Sequence, residues 1–253
     1  MTRAPNTRVV VFVGPSLPAH LRPADGRIDW RPPAVAGDAI EVGRSRPSAV
    51  LLIDGLFDEW PAIRHKELLQ LVSDGVAVFG AASMGALRAA ELHPFGMVGI
   101  GRIYTAYRRG WIDADDEVAV VHGPKEFDWS PLTEPLVNVR ATLLHAVRCR
   151  VVSAAEARAI LSAARSIFYK TRTWSAILQS PAVMDEVETH RQEMFRAWLG
   201  KGYVDLKRLD ALLAVDTVLR GDICSHARQL APPVTSFSAA LELQVLSGLR
   251  PRS

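Results

Sequence analysis

The residues best suited to chemistry lie in Gly80 to Leu92, which reads GAASMGALRAAEL. A buried strand ends there, a short turn of small residues follows, and a helix begins. Ser83 sits at the junction, where a hydroxyl projects from a sharp turn. The backbone N–H groups of Met84 and Gly85 follow at the helix N-terminus, where unsatisfied donors and the helix dipole favour an anion. A serine beside such an oxyanion hole is suited to acyl transfer. A plainer reading stands beside it. Ser83 caps the helix, and the small pairs Gly85/Ala89 and Ala86/Ala90 let that helix approach the sheet.

A serine nucleophile needs a base. Of the 30 basic side chains only five are lysines: Lys66, Lys125, Lys170, Lys201 and Lys207. The count matters because arginine cannot accept a proton. The candidate stretch is Arg64-His65-Lys66, in a helix predicted over 61–74. On a helical wheel His65 falls inside the apolar arc of Leu68, Leu69, Leu71 and Val72, with Lys66 at its edge. Lys66 then reaches a partly buried position with its stem on apolar surface. To act as a base its pKa must fall from about 10.4 to about 7, a cost of about 4 kcal/mol that burial and Arg64 help to supply. Otherwise Lys66 is a solvated charge and His65 a hydrogen-bonded core histidine. The serine segment resembles part of the nucleophile elbow of α/β-hydrolases, but Ala81 stands where that motif has its first glycine.

Other candidates surround this pair. Asp54 ends a strand, where it orients a base or makes a turn. Ser16 is a rival serine at another strand end. Gly96, Gly99 and Gly101 in FGMVGIG admit a substrate backbone or form turns, and they spell no dinucleotide or phosphate fingerprint. Asp113, Asp115, Asp116 and Glu117 match no calcium loop and read as a solvated acidic turn. His122 ends a strand, where it approaches the site or serves the fold. Glu134, Asn138 and Arg140 read as a polar network at the seam between two halves.

The elements that must position these residues follow from apolar runs. Strands are predicted over 8–13, 49–53, 76–79 and 118–121, and 17–37 reads as a proline-rich loop. Helices are predicted over 61–74 and 84–92. Continuous apolar strands alternating with helices specify an α/β fold with a mostly parallel sheet flanked by helices in the N-terminal half. Helices follow over 139–151, from a capping box at Ser153 and Glu156, and over 184–199 and 206–219. The division is 1–135 for an α/β catalytic domain and 136–253 for a helical one. Ligands of such sheets bind at the strand carboxyl ends, here Gly14-Pro15-Ser16, Asp54-Gly55 and Gly80 to Ser83.

The chain has 253 residues, 49% hydrophobic and 23% charged, enough apolar content to exclude disorder as the dominant state. No run of eighteen apolar residues suits a membrane span, and residues 1–8 lack the apolar core of a secretory signal. Two cysteines, Cys149 and Cys224, make neither a disulfide framework nor a cysteine-rich zinc site, so a cytoplasmic location is expected. The net charge of +3 is not gathered into blocks, and neither nucleic acid, metal nor cofactor is indicated.

The order GPS, IDG, RHKE, VFGAASMGALRAAEL, FGMVGIGRIY and DDEVAVVH, from Gly14 to His122, resembles the TfuA family. The resemblance implies a partner of YcaO enzymes, which replace a peptide amide oxygen with sulfur. It implies hydrolysis of a thiocarboxylated ThiS-type sulfur carrier through a Ser–Lys pair, with release of sulfide and help in peptide uptake by the YcaO enzyme. The matching positions are Ser83 and Lys66, with Met84 and Gly85 as the oxyanion hole. His65 and Asp54 support them, and Ser16, Gly96, Gly99 and Gly101 are substrate-binding candidates. No cofactor is implied. The resemblance also suggests an α/β arrangement outside the known superfolds. The alternative is a non-catalytic adaptor that docks the YcaO enzyme and its peptide.

Overall fold

The structure, a computed structural model, describes residues 8–56 and 60–221. Cys224 and the Pro232-Pro233 tail lie outside the described residues. Five strands form one wholly parallel sheet: β1 (Val9–Phe12), β2 (Ile28–Arg31), β3 (Ala49–Leu52), β4 (Ala77–Ala81) and β5 (Val98–Ile100). Its order is β2-β1-β3-β4-β5. This is the doubly wound order of flavodoxin-like sheets, so the expectation of an arrangement outside the known superfolds is corrected. The predicted strand over 118–121 does not form. Val118 and Ala119 are buried, but they follow a 3-10 turn at Asp115–Glu117 and join no sheet. β2, half-buried at the sheet edge, lies within the segment that reads as a loop.

Handedness explains the layers. The steps β2 to β3, β3 to β4 and β4 to β5 all advance one way across the sheet. Right-handed crossovers therefore put α1 (Asp38–Arg44), α2 (His65–Ser73) and α3 (Met84–Leu92) on one face. Ala39, Val42, Leu68, Leu71, Ala89 and Leu92 pack there against Val10, Phe12, Val50, Leu52 and Val78. The step from β1 to β2 runs the other way and carries only a 3-10 turn at Ala19–Leu21, so the second face needs another cover. α10 (Leu206–Arg220) supplies it. Ala211, Ala214, Val215 and Val218 pack on Val9, Val11, Leu51, Phe79 and Ile100.

The direction of α10 matters for the site. Near its end the Leu219 carbonyl accepts from Arg27, just before β2. Near its start Asp210 accepts from the amide of Ile103, just after β5. The helix thus runs antiparallel to the strands, with its first turn at their carboxyl ends.

The chain forms two compact units, each built from more than one stretch of sequence. The sheet unit holds the described residues of 8–109, 124–130 and 207–221, including α4 (Arg102–Arg108). The helical unit holds 110–123 and 131–206. It contains α5 (Leu136–Arg148), α6 (Ala154–Ser166), α7 (Trp174–Leu178), α8 (Pro181–Glu186) and α9 (Thr189–Gly202), closed around Leu143, Ile160, Leu161, Ile177 and Phe195. The Ser153–Glu156 capping box forms at the start of α6. Among the described residues no helix is long and apolar enough to cross a membrane.

Candidate active site

Ser83 lies between β4 and α3 on a strained elbow. Its N–H donates to the Ala81 carbonyl at 2.7 Å, closing a γ-turn on Ala82, whose φ is +62°. A non-glycine residue there costs of order 1–3 kcal/mol and persists only where its surroundings hold it. Ala82 is fully buried against the α10 face of the sheet, which supplies that hold. Ser83 occupies the cap position of α3, but its hydroxyl makes no capping hydrogen bond. The capping reading of this serine is therefore not realised.

The two amides proposed as an oxyanion hole differ. Gly85 N–H already donates to the Ile53 carbonyl at 3.1 Å, so it is spent on the fold, which corrects its expected role. Gly85 is glycine for a packing reason: a Cβ there would collide with the Leu52 carbonyl, because α3 rides directly on β3. Met84 N–H has no acceptor among the described residues. It stands beside the Ser83 hydroxyl at the helix N-terminus, where an anion is favoured.

Asp54 clamps the crevice between β1 and β3. Its carboxylate accepts from Gly14 N–H and Ser16 N–H, both at 2.9 Å, and from the Ser16 hydroxyl at 2.7 Å. Both side chains are buried. Ser16 is thereby committed to holding its loop, and Asp54 orients that loop rather than a base.

Among the described residues no hydrogen bond joins Lys66 to Ser83. α2 turns Glu67, Leu68 and Leu71 inward, which leaves Lys66 exposed. His65 is exposed as well, which corrects its placement in the apolar arc. Its Nε2 pairs with Glu91 at 2.7 Å, and Glu91 also takes Arg88. Glu91 lies eight residues beyond Ser83, about 12 Å along α3 at 1.5 Å per residue. The wheel erred because Glu67 is one of the inward residues. Its carboxylate accepts from Gly37 N–H at 2.7 Å, capping α1 from a neighbouring helix.

A lysine that sequence reasoning passed over is buried in the same unit. Lys207 is 3% exposed, in the first turn of α10. Ala211, one turn on, packs in the same cluster as Ala81 and Ala82. The signal lay in the α10 pattern, where Lys207, Asp210, Ala211 and Ala214 share one helical face. Asp210 is buried too, and burial pushes its carboxyl up to about 6, against the pull of the Ile103 and Arg102 amides and the Arg102 charge. The glycines of FGMVGIG serve this packing. Gly101 (φ +100°) leaves room for the Asp210 carboxylate, Gly99 lies against the Tyr104 ring, and Gly96 (φ +104°) ends a 3-10 turn.

The remaining candidates belong to the helical unit. Glu117 forms a buried bidentate pair with Arg140, and Asp116 pairs with the fully buried Arg172. These two acids are structural anchors rather than part of a solvated turn. His122 shares a hydrogen bond with the Gly123 carbonyl. Tyr203 donates to Glu134 at 2.9 Å, and Asn138 donates to Tyr203 and Asp205. Burial pushes the pKa of both Glu134 and Tyr203 up, favouring their neutral forms. The residues joined by these hydrogen bonds all lie in the helical unit.

Residues 54–173 match the family described as TfuA-like protein. The match takes in Asp54, Lys66 and Ser83 and continues past His122 into the helical unit, but leaves out Ser16 and Lys207. No curated protein matches the chain.

Proposed function

We propose that this chain, which the match over residues 54–173 supports assigning to the TfuA family, is a thiocarboxylate hydrolase working beside a YcaO-type enzyme. Its substrate is a ThiS-type sulfur carrier, and its product is the sulfide used in peptide thioamidation. The observation that carries this reading is the Ser83 elbow: an uncapped hydroxyl beside the unspent Met84 amide at the carboxyl end of a parallel sheet. Ser83 Oγ attacks the thiocarboxylate carbonyl while its proton passes to a base. The Met84 amide holds the oxyanion. The C–S bond breaks and sulfide leaves. Water then attacks the acyl-serine, releasing the carrier carboxylate and restoring Ser83.

The base is a lysine in this reading, and burial favours Lys207 over the exposed Lys66. The adaptor reading gains support from one fact: the Ser83 hydroxyl has no hydrogen-bonded base among the described residues.

Intact-mass measurement of a thiocarboxylated carrier separates these readings. Wild type should convert it to carboxylate, Ser83→Ala and Lys207→Met should fail while folded, and Lys66→Ala should remain active. Loss only in Ser83→Ala and Lys66→Ala would restore Lys66 as the base. Equal behaviour of wild type and Ser83→Ala would leave the adaptor role.

A further inference from the structure

An oxyanion is held better by two donors than by one, and the Met84 amide stands alone once Gly85 is spent on Ile53. In the nucleophile elbow of α/β-hydrolases the amide after the serine is joined by one from the loop that follows another strand. Here β3 is the neighbour of β4, with Leu52 opposite Gly80, and its loop begins at Asp54-Gly55. Two contacts press that loop against the elbow. The Ile53 carbonyl accepts from Gly85 N–H at 3.1 Å, and a Cβ on Gly55 would collide with the Met84 sulfur. The other edge of the loop is taken by the segment after β2. Ala34 N–H donates to the Asp54 carbonyl and Leu56 N–H donates to the Ala34 carbonyl, both at 2.9 Å. Successive residues of extended backbone turn their N–H and C=O to opposite edges, so Gly55 turns its own N–H away from Ala34. Gly55 is half-buried, and this N–H has no acceptor among the described residues. The Asp54 carboxylate next to it is already taken by Gly14 and Ser16.

We infer that the Gly55 N–H is the second donor of the oxyanion hole, holding with Met84 N–H the carbonyl oxygen that Ser83 attacks. The inference rests on the hydrolase reading of Ser83 and deepens it. A thiocarboxylate presents one oxygen and one sulfur, and oxygen is the stronger acceptor. Two N–H donors therefore hold the oxygen as charge develops on it and leave the sulfur to depart as sulfide. The loop carries glycine at this point because a side chain would displace the Met84 sulfur, and with it the Met84 amide.

The test uses a serine-directed alkyl fluorophosphonate. Its phosphorus bonds to Ser83 Oγ as fluoride leaves, which puts a phosphoryl oxygen where the oxyanion would form. Intact mass should show one label on wild type and none on Ser83→Ala. An unlabelled wild type defeats the hydrolase reading, and the inference falls with it. On labelled protein the Gly55 amide is read by NMR, with isotope in the aspartate carbonyl and the glycine nitrogen. That pairing selects Asp25–Gly26, Asp54–Gly55 and Asp74–Gly75 alone. The Gly55 amide proton should move downfield and exchange with solvent about fivefold more slowly, the weight of one hydrogen bond. The Gly26 and Gly75 amides should stay as they were. A labelled Ser83 with Gly55 exchange unchanged overturns the inference, with or without a shift, and leaves the hydrolase reading on the Met84 donor alone.

Discussion

Asp210 offers a quantitative check on how α10 is seated. Its carboxylate is 2% exposed, accepts the Ile103 amide at 2.8 Å, and occupies the space a side chain at Gly101 would need. It thereby caps α4, which has no side-chain cap at its own N-terminus. Burial outweighs the amides and the Arg102 charge and lifts its pKa to about 6. In the unfolded chain the value is about 3.9. Between those two values the folded state binds more protons, so the stability contribution of this group rises as pH falls from about 6 to about 4 and is poorest above 6. A rise of that size is worth about 3 kcal/mol. Urea unfolding of wild type and Asp210→Asn at about pH 7.5 and about pH 4.5 isolates this group, since the other carboxylates are common to both chains. Fluorescence and circular dichroism transitions should coincide, so that a two-state free energy applies. On acidification between those two pH values wild type should gain about 2 kcal/mol relative to the variant, since the unfolded group is still mostly ionised at about pH 4.5. Parallel profiles would show that Asp210 is not held in a dry clamp, and the seating of Lys207 one turn earlier would lose its support.

Gly85→Ala reverses an ordinary rule. In a helix this change usually stabilises by about 1 kcal/mol, but here the added carbon meets the Leu52 carbonyl and strains the Gly85–Ile53 hydrogen bond. A net loss of about 2–4 kcal/mol is expected in urea unfolding, and any gain would refute the close approach of α3 to β3. Asp54→Ala strands three buried donors and should cost about 3–5 kcal/mol, while Asp54→Asn keeps the shape and recovers most of that loss. Equal losses would mean that the charge matters and the geometry does not. Ser153→Ala removes the capping box of α6 and should cost about 1 kcal/mol, read as a lowered unfolding midpoint.

What could be read from the sequence was whatever apolar runs announce. β1, β3 and β4 are buried on both faces, and their continuous aliphatic runs say so. β2 (IDWR) is a half-buried edge strand, and β5 is three residues long with a central glycine, so neither carries such a run. Ser83 was legible because strand, small turn and helix are contiguous in the chain. Lys207 was not, because its neighbourhood is assembled by α10 folding back over the sheet from more than a hundred residues away. The wheel for α2 misled for a related reason: Glu67 counted as polar, yet it points inward to satisfy Gly37.

Glu67 is one of three buried carboxylates that clamp loops at the carboxyl edge of the sheet. Asp54 holds the loop after β1, Glu67 holds the turn after β2, and Asp210 holds the start of α4 after β5. Each comes from a different element and satisfies backbone N–H groups that would otherwise be stranded. The loop after β4 is built differently. Among the described residues no carboxylate reaches it. It is fixed by the γ-turn on Ala82 and by the Gly85–Ile53 hydrogen bond, and Met84 N–H is left unspent. A carboxylate in that position would take up the amide and repel a developing oxyanion. The loop proposed to carry the reaction is thus secured without negative charge, at the cost of a strained alanine.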